Sequence, residues 1–287
     1  MEQKLIPFNN FYKLFNIISI SLIILSVLFL FFKGLNFGVD FKGGTLIELR
    51  TTDSNISISE LRKSFNKINL GDVSVKEFGK ENDYIVKFEK KLTIEENFIQ
   101  NLKVELSKHI GNSFDFRRVE SVGPKVSSEL LKSSIIAIGL ALAAMLIYIW
   151  IRFEWQFGFG AVVALTHDVV FTLGILCLFR IDFNLSNIAA ILTIAGYSIN
   201  DTVVIFDRVR ENLRKYKKTE LIDIFNLSLN NTLSRTIMTS VTTLMALFSL
   251  FFLGGEVIRS FSFTMIIGVL IGTYSSIYIA IPSLLLF

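Results

Sequence analysis

Four ionisable side chains stand inside long apolar runs of this 287-residue chain: His167, Asp168, Asp201 and Arg235. Such groups are costly in an apolar setting, so each is a candidate for function. Tyr197, Asn200 and Asp201 share one helical face through i, i+3 and i+4 spacing. Arg235, Thr239 and Thr242 do the same at the head of the next apolar run. If the two runs pack as antiparallel neighbours, Arg235 can reach back towards Asp201. Desolvation and a nearby guanidinium act on a carboxyl's protonation in opposite senses. Movement of one helix against the other then couples protonation to motion, which is the logic of a proton relay. Each residue also has a plainer reading. Asp201 can be a structural carboxylate held by Tyr and Thr. Arg235 can be an interfacial anchor whose stem runs along the helix. His167 and Asp168 can be a polar pair that packs helices. Asp207, Arg208, Arg210 and Glu211 read as an interfacial salt-bridge cluster.

The surroundings of these residues are those of a membrane protein. Hydrophobic residues make up 52% of the chain and charged residues 19%, against roughly 25% charged in soluble domains. Mean hydropathy is +0.56. This excludes a disordered chain, a disulfide scaffold and a collagen. The one cysteine, Cys177, permits no intrachain disulfide and reads as an inert core thiol. The net charge of +4 fits loop bias better than nucleic-acid binding, and no nucleic-acid partner is expected. A membrane span needs about 20 apolar residues. Six runs qualify, at about 11–32, 133–150, 157–179, 185–206, 236–253 and 261–287, with a longer connection over 207–234. The first has no small-residue cleavage site and reads as a retained span. Lys4, Lys13, Arg152 and the basic run from Arg208 to Lys218 fall on one side of an even-numbered bundle, the expected cytoplasmic side, with both termini. Arg180 and Arg259 fall opposite. Tyr148, Trp150 and Trp155 read as an aromatic belt.

The organisation expected is a first segment 1–33, an outside domain 34–131, and spans two to six over 132–287. Within the domain, alternation predicts strands at 45–50, 73–78, 84–88 and 114–119. Ser57-Ile-Ser-Glu60 and Thr93-Ile-Glu-Glu96 are capping-box patterns opening helices to about 68 and 110, with turn residues over 79–83. The order βαββαβ is the ferredoxin-like split motif. The fold class is therefore mainly α, six spans with a ferredoxin-like α+β insert. His109 stands alone near a helix end and reads as a solvated residue. No metal cluster, nucleotide-binding loop or nucleophile–base pair is recognisable, so no metal, cofactor or enzyme activity is expected.

Several motifs carry a family likeness. They are Phe37-Gly-Val-Asp-Phe-Lys-Gly-Gly-Thr45, Val122-Gly-Pro-Lys125, the His167-Asp168 pair, the 196–212 run, and Ser234-Arg-Thr-Ile-Met-Thr-Ser240. Together they resemble the SecF family, the smaller subunit of the bacterial SecDF accessory complex of the protein translocon. The likeness covers about residues 9–281, and the 196–212 run is its most specific part. SecDF belongs to the resistance-nodulation-division superfamily, whose repeat is one span, an outside domain, then five spans. This layout occurs here once, so the resemblance implies half a machine, completed by SecD. It implies an inner-membrane protein that uses the proton-motive force to help draw preproteins out of SecYEG, with YajC as an optional further partner. It puts the proton-coupling Asp on Asp201 and its partnering Arg on Arg235. It makes Asp40, Lys42, Gly43 and Gly44 a structural signature linking span to domain, where the glycine pair suits a tight bend. The chain ends at Phe287 inside an apolar run, short of the polar tail usual in the family. Two other functions compete: a half-unit of a proton-coupled small-molecule or lipid exporter, and a passive translocon scaffold. The compact insert leaves little room for an exporter's pocket, and indifference to loss of Asp201 would mark the scaffold.

Overall fold

The structure is a computed structural model that describes residues 5–51, 56–68, 70–71, 73–77, 82–88, 96–111 and 114–286. Its elements run α1 (Asn9–Phe32), β1 (Asn36–Phe37), α2 (Val39–Lys42), β2 (Gly44–Thr51), α3 (Ile58–Asn66), β3 (Val73–Glu77) and β4 (Asp83–Phe88). They continue with α4 (Glu96–Ile110), β5 (Phe114–Val122), α5 (Pro124–Arg152), α6 (Trp155–Leu178), β6 (Asp182–Phe183), α7 (Leu185–Lys215), α8 (Leu221–Leu253) and α9 (Glu256–Ser275). A π-helical segment, Ser276–Ala280, and the short α10 (Ile281–Ser283) follow. Contacts divide the chain into two compact units, residues 37–135 and the remainder.

The unit at 37–135 folds on alternation and local caps. β2, β3, β4 and β5 form one antiparallel sheet in the order β3-β4-β2-β5, the ferredoxin-like arrangement. Ile47 and Leu49 on β2, and Val73 and Val75 on β3, turn to the same core as Leu61 and Phe65 of α3 and Leu102 and Leu106 of α4. The register shifts between Glu48 and Leu49, where Arg117 is the extra residue of a bulge in β5. Ser57 caps α3: its side chain accepts from the Glu60 N–H, and the Glu60 carboxylate accepts from the Ser57 N–H. These donated hydrogen bonds hold the Glu60 carboxyl below its ordinary range. The Tyr84 hydroxyl donates to the Ile56 carbonyl at 2.9 Å and pins the approach to α3. Burial pushes that phenol upwards. The Thr93 capping box, the turn over 79–81 and the end of the third strand at Phe78 lie outside the described residues.

Gly43 and Gly44 adopt φ of 81° and 115°, which L side chains avoid. A Cβ on Gly43 would also stand 3.3 Å from the Val122 carbonyl oxygen. The pair lets the chain leave α2 and enter β2 directly alongside the end of β5. Asp40 sits in the first turn of α2, and Lys42 is exposed in its last.

Among the described residues six helices are long and apolar enough to cross a membrane: Asn9–Phe32, Pro124–Arg152, Trp155–Leu178, Leu185–Lys215, Leu221–Leu253 and Ile258–Leu286. α6, α7 and α9 are the most buried, while α1, α5 and α8 keep most of their apolar surface outward. Close approach depends on small residues. A Cβ on Gly174 of α6 would collide with Ser26 of α1, and one on Gly268 of α9 would collide with Ile194 of α7. Pro282 has no N–H to return to a carbonyl four residues earlier, and the helix before it widens into the π segment.

The expected loop over 207–234 is corrected. α7 continues to Lys215 and α8 starts at Leu221, so only five residues connect them. Val209, Phe225 and Leu229 are buried in the same cluster as Phe153, Phe157 and Phe206. The buried Asn212 amide donates to Ser228 Oγ at 2.9 Å. Helical hydrogen bonds form in water as well as in lipid, so the helices end where packing ends rather than where the apolar run ends.

Candidate functional site: a polar seam inside the helix bundle

Asp201 lies on the inward side of α7, 3% exposed, between buried Ser198, Thr202 and Ile205. Its Oδ2 atom is buried and has no hydrogen-bond partner among the described residues. Arg235 is exposed on α8. The two helices pack together, and the charge of Arg235 reaches Asp201, but no ion pair within 4 Å joins them among the described residues. Asp201 Oδ2 is thus unpartnered among the described residues, and Arg235 is exposed on the neighbouring helix.

The other expected residues divide. Tyr197 is half-buried, and its hydroxyl donates to Ser240 Oγ of α8 at 3.3 Å. Ser240 in turn meets Thr273 Oγ1 of α9 at 2.6 Å. Asn200 turns outward. Thr239 donates to the Thr236 carbonyl at 2.9 Å, and Thr242 to the Met238 carbonyl at 2.8 Å, so both hydroxyls satisfy their own helix. The inward hydroxyl stripe of α8 is one position over, at Ser228, Thr232, Thr236 and Ser240. The i, i+4 spacing of these four was visible in the sequence. The charge of Arg235 drew attention to the neighbouring face instead.

His167 and Asp168 form a knot. Asp168 is fully buried and accepts from Ser198 Oγ of α7 at 2.5 Å and from Ser275 Oγ of α9 at 2.7 Å. Its other oxygen meets His167 Nδ1 at 3.0 Å. One carboxyl thus ties α6, α7 and α9. A Cβ on Gly272 would lie 3.2 Å from Ser198 Cβ, so this glycine gives α9 its approach to the knot. His167 Nε2 is buried and has no hydrogen-bond partner among the described residues. A third tie joins α7 to α9, where Asn187 donates to Thr264 Oγ1 at 2.8 Å and to Ser260 Oγ at 3.1 Å. Ser198, Ser275, Ser240 and Thr273 escaped the sequence reading. A lone hydroxyl residue in an apolar run bonds its own backbone unless a partner helix offers better.

No group of three or more potential metal ligands occurs among the described residues. Of the two carboxyls buried in the bundle among the described residues, Asp168 has both oxygens engaged and Asp201 keeps Oδ2 unpartnered.

Fold and site define a multi-pass membrane protein with a ferredoxin-like insert and two carboxyls, Asp168 and Asp201, buried in the bundle. Comparison with known proteins makes this specific. Residues 103–287 match the model of the protein export membrane protein SecD/SecF, C-terminal, and residues 28–54 match the SecD/SecF GG motif, which contains Gly43 and Gly44. The chain is 44% identical over 283 residues to the protein translocase subunit SecF of Rickettsia rickettsii, covering 98% of this chain and 91% of that one. It is 45% identical to the SecF of Rickettsia bellii, covering 98% and 92%. It superposes on the crystal structure of SecDF, a translocon-associated membrane protein from Thermus thermophilus, with a TM-score of 0.86 and 31% identity. A super-membrane-facing form of SecDF gives 0.72 and 32%. These matches cover 99% and 100% of this chain but 39% of each SecDF chain, so this chain spans well under half the length of those proteins. The chain belongs to the SecD/SecF family of protein-export membrane proteins and serves as an auxiliary subunit of the Sec protein translocase.

Proposed function

We propose that the chain works with SecD, coupling the proton-motive force to late steps of preprotein export, and that Asp201 is the carboxyl through which protons pass. The observation that carries this reading is the buried Asp201 Oδ2, left without a hydrogen-bond partner beside a cation that does not pair with it. A structural carboxylate in a bundle looks like Asp168, with its oxygens engaged. Asp201 looks like a group waiting for a proton. Arg235 biases its charge state from α8, and a shift of α8 along α7 would change that bias. Tyr197, Ser240 and Thr273 keep polar contact across α7, α8 and α9 during such a shift. The partner half is SecD, the complex stands at SecYEG with the emerging preprotein as its load, and YajC is an additional associate. Asp40, Lys42, Gly43 and Gly44 act structurally. The export reading is preferred to a lipid exporter because the insert's core is closed by Phe65, Leu102 and Leu106.

The protein resides in the bacterial inner membrane with its termini in the cytoplasm and the 34–131 domain outside. The support is the basic cluster at the α7 end and in the α7–α8 connection, against Arg180 alone in the α6–α7 connection. A cysteine at Lys217 is expected to resist membrane-impermeant labelling in intact cells; labelling there from outside would overturn the topology.

The test of the proton role is Asp201→Asn, which keeps size and hydrogen bonding but removes titration. At matched complex abundance the variant should lose the proton-gradient-dependent part of export. One general acid–base group contributes typically about 10²-fold or more where proton transfer limits a reaction, so the loss should be near complete. Export stimulated as in the wild type would leave only a scaffold.

A further inference from the structure

At one end of the bundle, Arg152, Arg210, Arg214 and Lys215 line an open crevice of about 520 Å³ with Asp207 and Glu211. Arg152 is the last residue of α5, and the other three cations come from the last two turns of α7. Both carboxylates already hold an arginine. Arg152 Nη2 donates to Asp207 at 2.8 Å, and Arg208 donates to Glu211 at 2.6 Å. Arg210, Arg214 and Lys215 have no carboxylate within 4 Å among the described residues. Arg210 donates one Nη1 bond to the Arg152 carbonyl at 3.3 Å, while its Nε is buried and has no hydrogen-bond partner among the described residues. The crevice thus holds an excess of positive charge and an unsatisfied donor.

Its position is as informative as its charge. The α5 surface leading to it is apolar and outward, with Ile147, Tyr148, Trp150 and Ile151 all exposed, and Trp155 stands at the start of α6. Exposed Trp and Tyr at a helix end mark the level of lipid headgroups. An acyl chain lying along α5 would bring its phosphodiester to the mouth of the crevice. A soluble anion needs no such apolar track. We infer that this crevice is a binding site for the headgroup phosphate of an anionic membrane phospholipid, held by Arg210, Arg214 and Lys215, with its acyl chains against α5. Arginine forks match phosphate oxygens in charge and geometry, and basic pockets between spans are known hosts for anionic headgroups. Bound lipid would staple the end of α5 to the end of α7, the helix that carries Asp201.

The experiment uses the full chain in mixed micelles, with retained lipid counted by native mass spectrometry. Phosphatidylglycerol is compared with phosphatidylcholine, and wild type with Arg210→Gln/Arg214→Gln. Lys217→Gln/Lys218→Gln, which removes the same charge from the neighbouring connection, is the control. Preferential retention of phosphatidylglycerol by wild type is expected, with about thirtyfold loss in the crevice variant for two cations and little change in the control. Equal loss in both variants means diffuse electrostatics and overturns the site. Displacement of the lipid by millimolar inorganic phosphate identifies a soluble-anion site and overturns the lipid assignment. If the double variant melts early in phosphatidylcholine, the exposed single variant Arg214→Gln replaces it. Equal thermal destabilisation of that variant in both lipids, without loss of lipid preference, means the cations only offset the α7 dipole, and this too overturns the proposal.

Discussion

The 37–135 unit and the helix bundle both bury apolar clusters, but among the described residues buried imidazole and carboxyl side chains, His167, Asp168 and Asp201, occur in the bundle and not in the 37–135 unit. In the first, Ile47, Leu61, Phe65, Val86 and Leu106 are sealed in an apolar core, and polar groups work at the edges, as at Ser57 and in the Arg50–Asp83 pair across β2 and β4. In the bundle, Asp168, Asp201, Thr172, Asn187, Ser198, Ser240 and Ser275 lie inside, while Phe31, Ile151 and Leu253 are more than 80% exposed. Water drives the first arrangement, because apolar burial is its main gain. Lipid gives no such gain between helices, so close packing and interhelical hydrogen bonds carry the bundle. A buried polar residue is therefore weak information in the bundle unless it is left unsatisfied. Asp168 and Asp201 are equally hidden, and only the second has an oxygen without a partner. This contrast separates the structural carboxyl from the one proposed to work.

The largest effect on stability should come from Phe65→Ala, which empties the insert's core at a cost of about 3–5 kcal/mol. The domain's own unfolding transition should fall steeply, while bundle thermostability in detergent stays near wild type. If both transitions fall together, the two cores are not energetically distinct. Next comes Asp168→Ala, which strips acceptors from Ser198, Ser275 and His167. Double-mutant data put interhelical hydrogen bonds near 0.6 kcal/mol each, and unpaired buried groups cost about 1–3. A loss of about 2 kcal/mol is therefore expected in the bundle alone. Asp201→Asn, by contrast, should leave that transition almost unmoved, and equal destabilisation by the two changes would erase their distinction.

The smallest effect concerns Glu60. Its folded carboxyl is held below its unfolded value by the donated Ser57 bonds. The stabilisation is therefore complete above the unfolded value and is lost as pH falls through the folded one. Thermal scans of wild type and Glu60→Gln should differ at neutral pH and converge only as the pH falls below the ordinary glutamate range. A gap that persists in acid would mean the cap does not depend on the carboxylate charge.

Much of the insert could be read directly. The alternation in 45–50 and 84–88 became β2 and β4 within a residue or so, and Ser57 with Glu60 became a complete capping box. These signals are local, since strand faces and helix caps are set by neighbours in the chain. The glycine pair was legible for the same reason, because positive φ is a property of one residue. The bundle was legible only as far as length and hydropathy reach. Six spans followed from the apolar runs, but the ends of α7 and α8 did not, because Val209, Phe225, Leu229 and the Asn212–Ser228 bond extend the helices beyond them.

Residue types and spacing by themselves determined the class of protein, the number of spans, the βαββαβ insert and a short set of suspects that included Asp201 and Asp168. Only the tertiary structure decided which suspect is satisfied. It turned Asn200 outward, returned Thr239 and Thr242 to their own helix, put Ser240 and Thr273 in contact, and closed Ser198 and Ser275 around Asp168. The reason is geometric. A hydroxyl or carboxyl has partners available within its own helix or across to another. Which it takes depends on the rotation and separation of helices far apart in the chain.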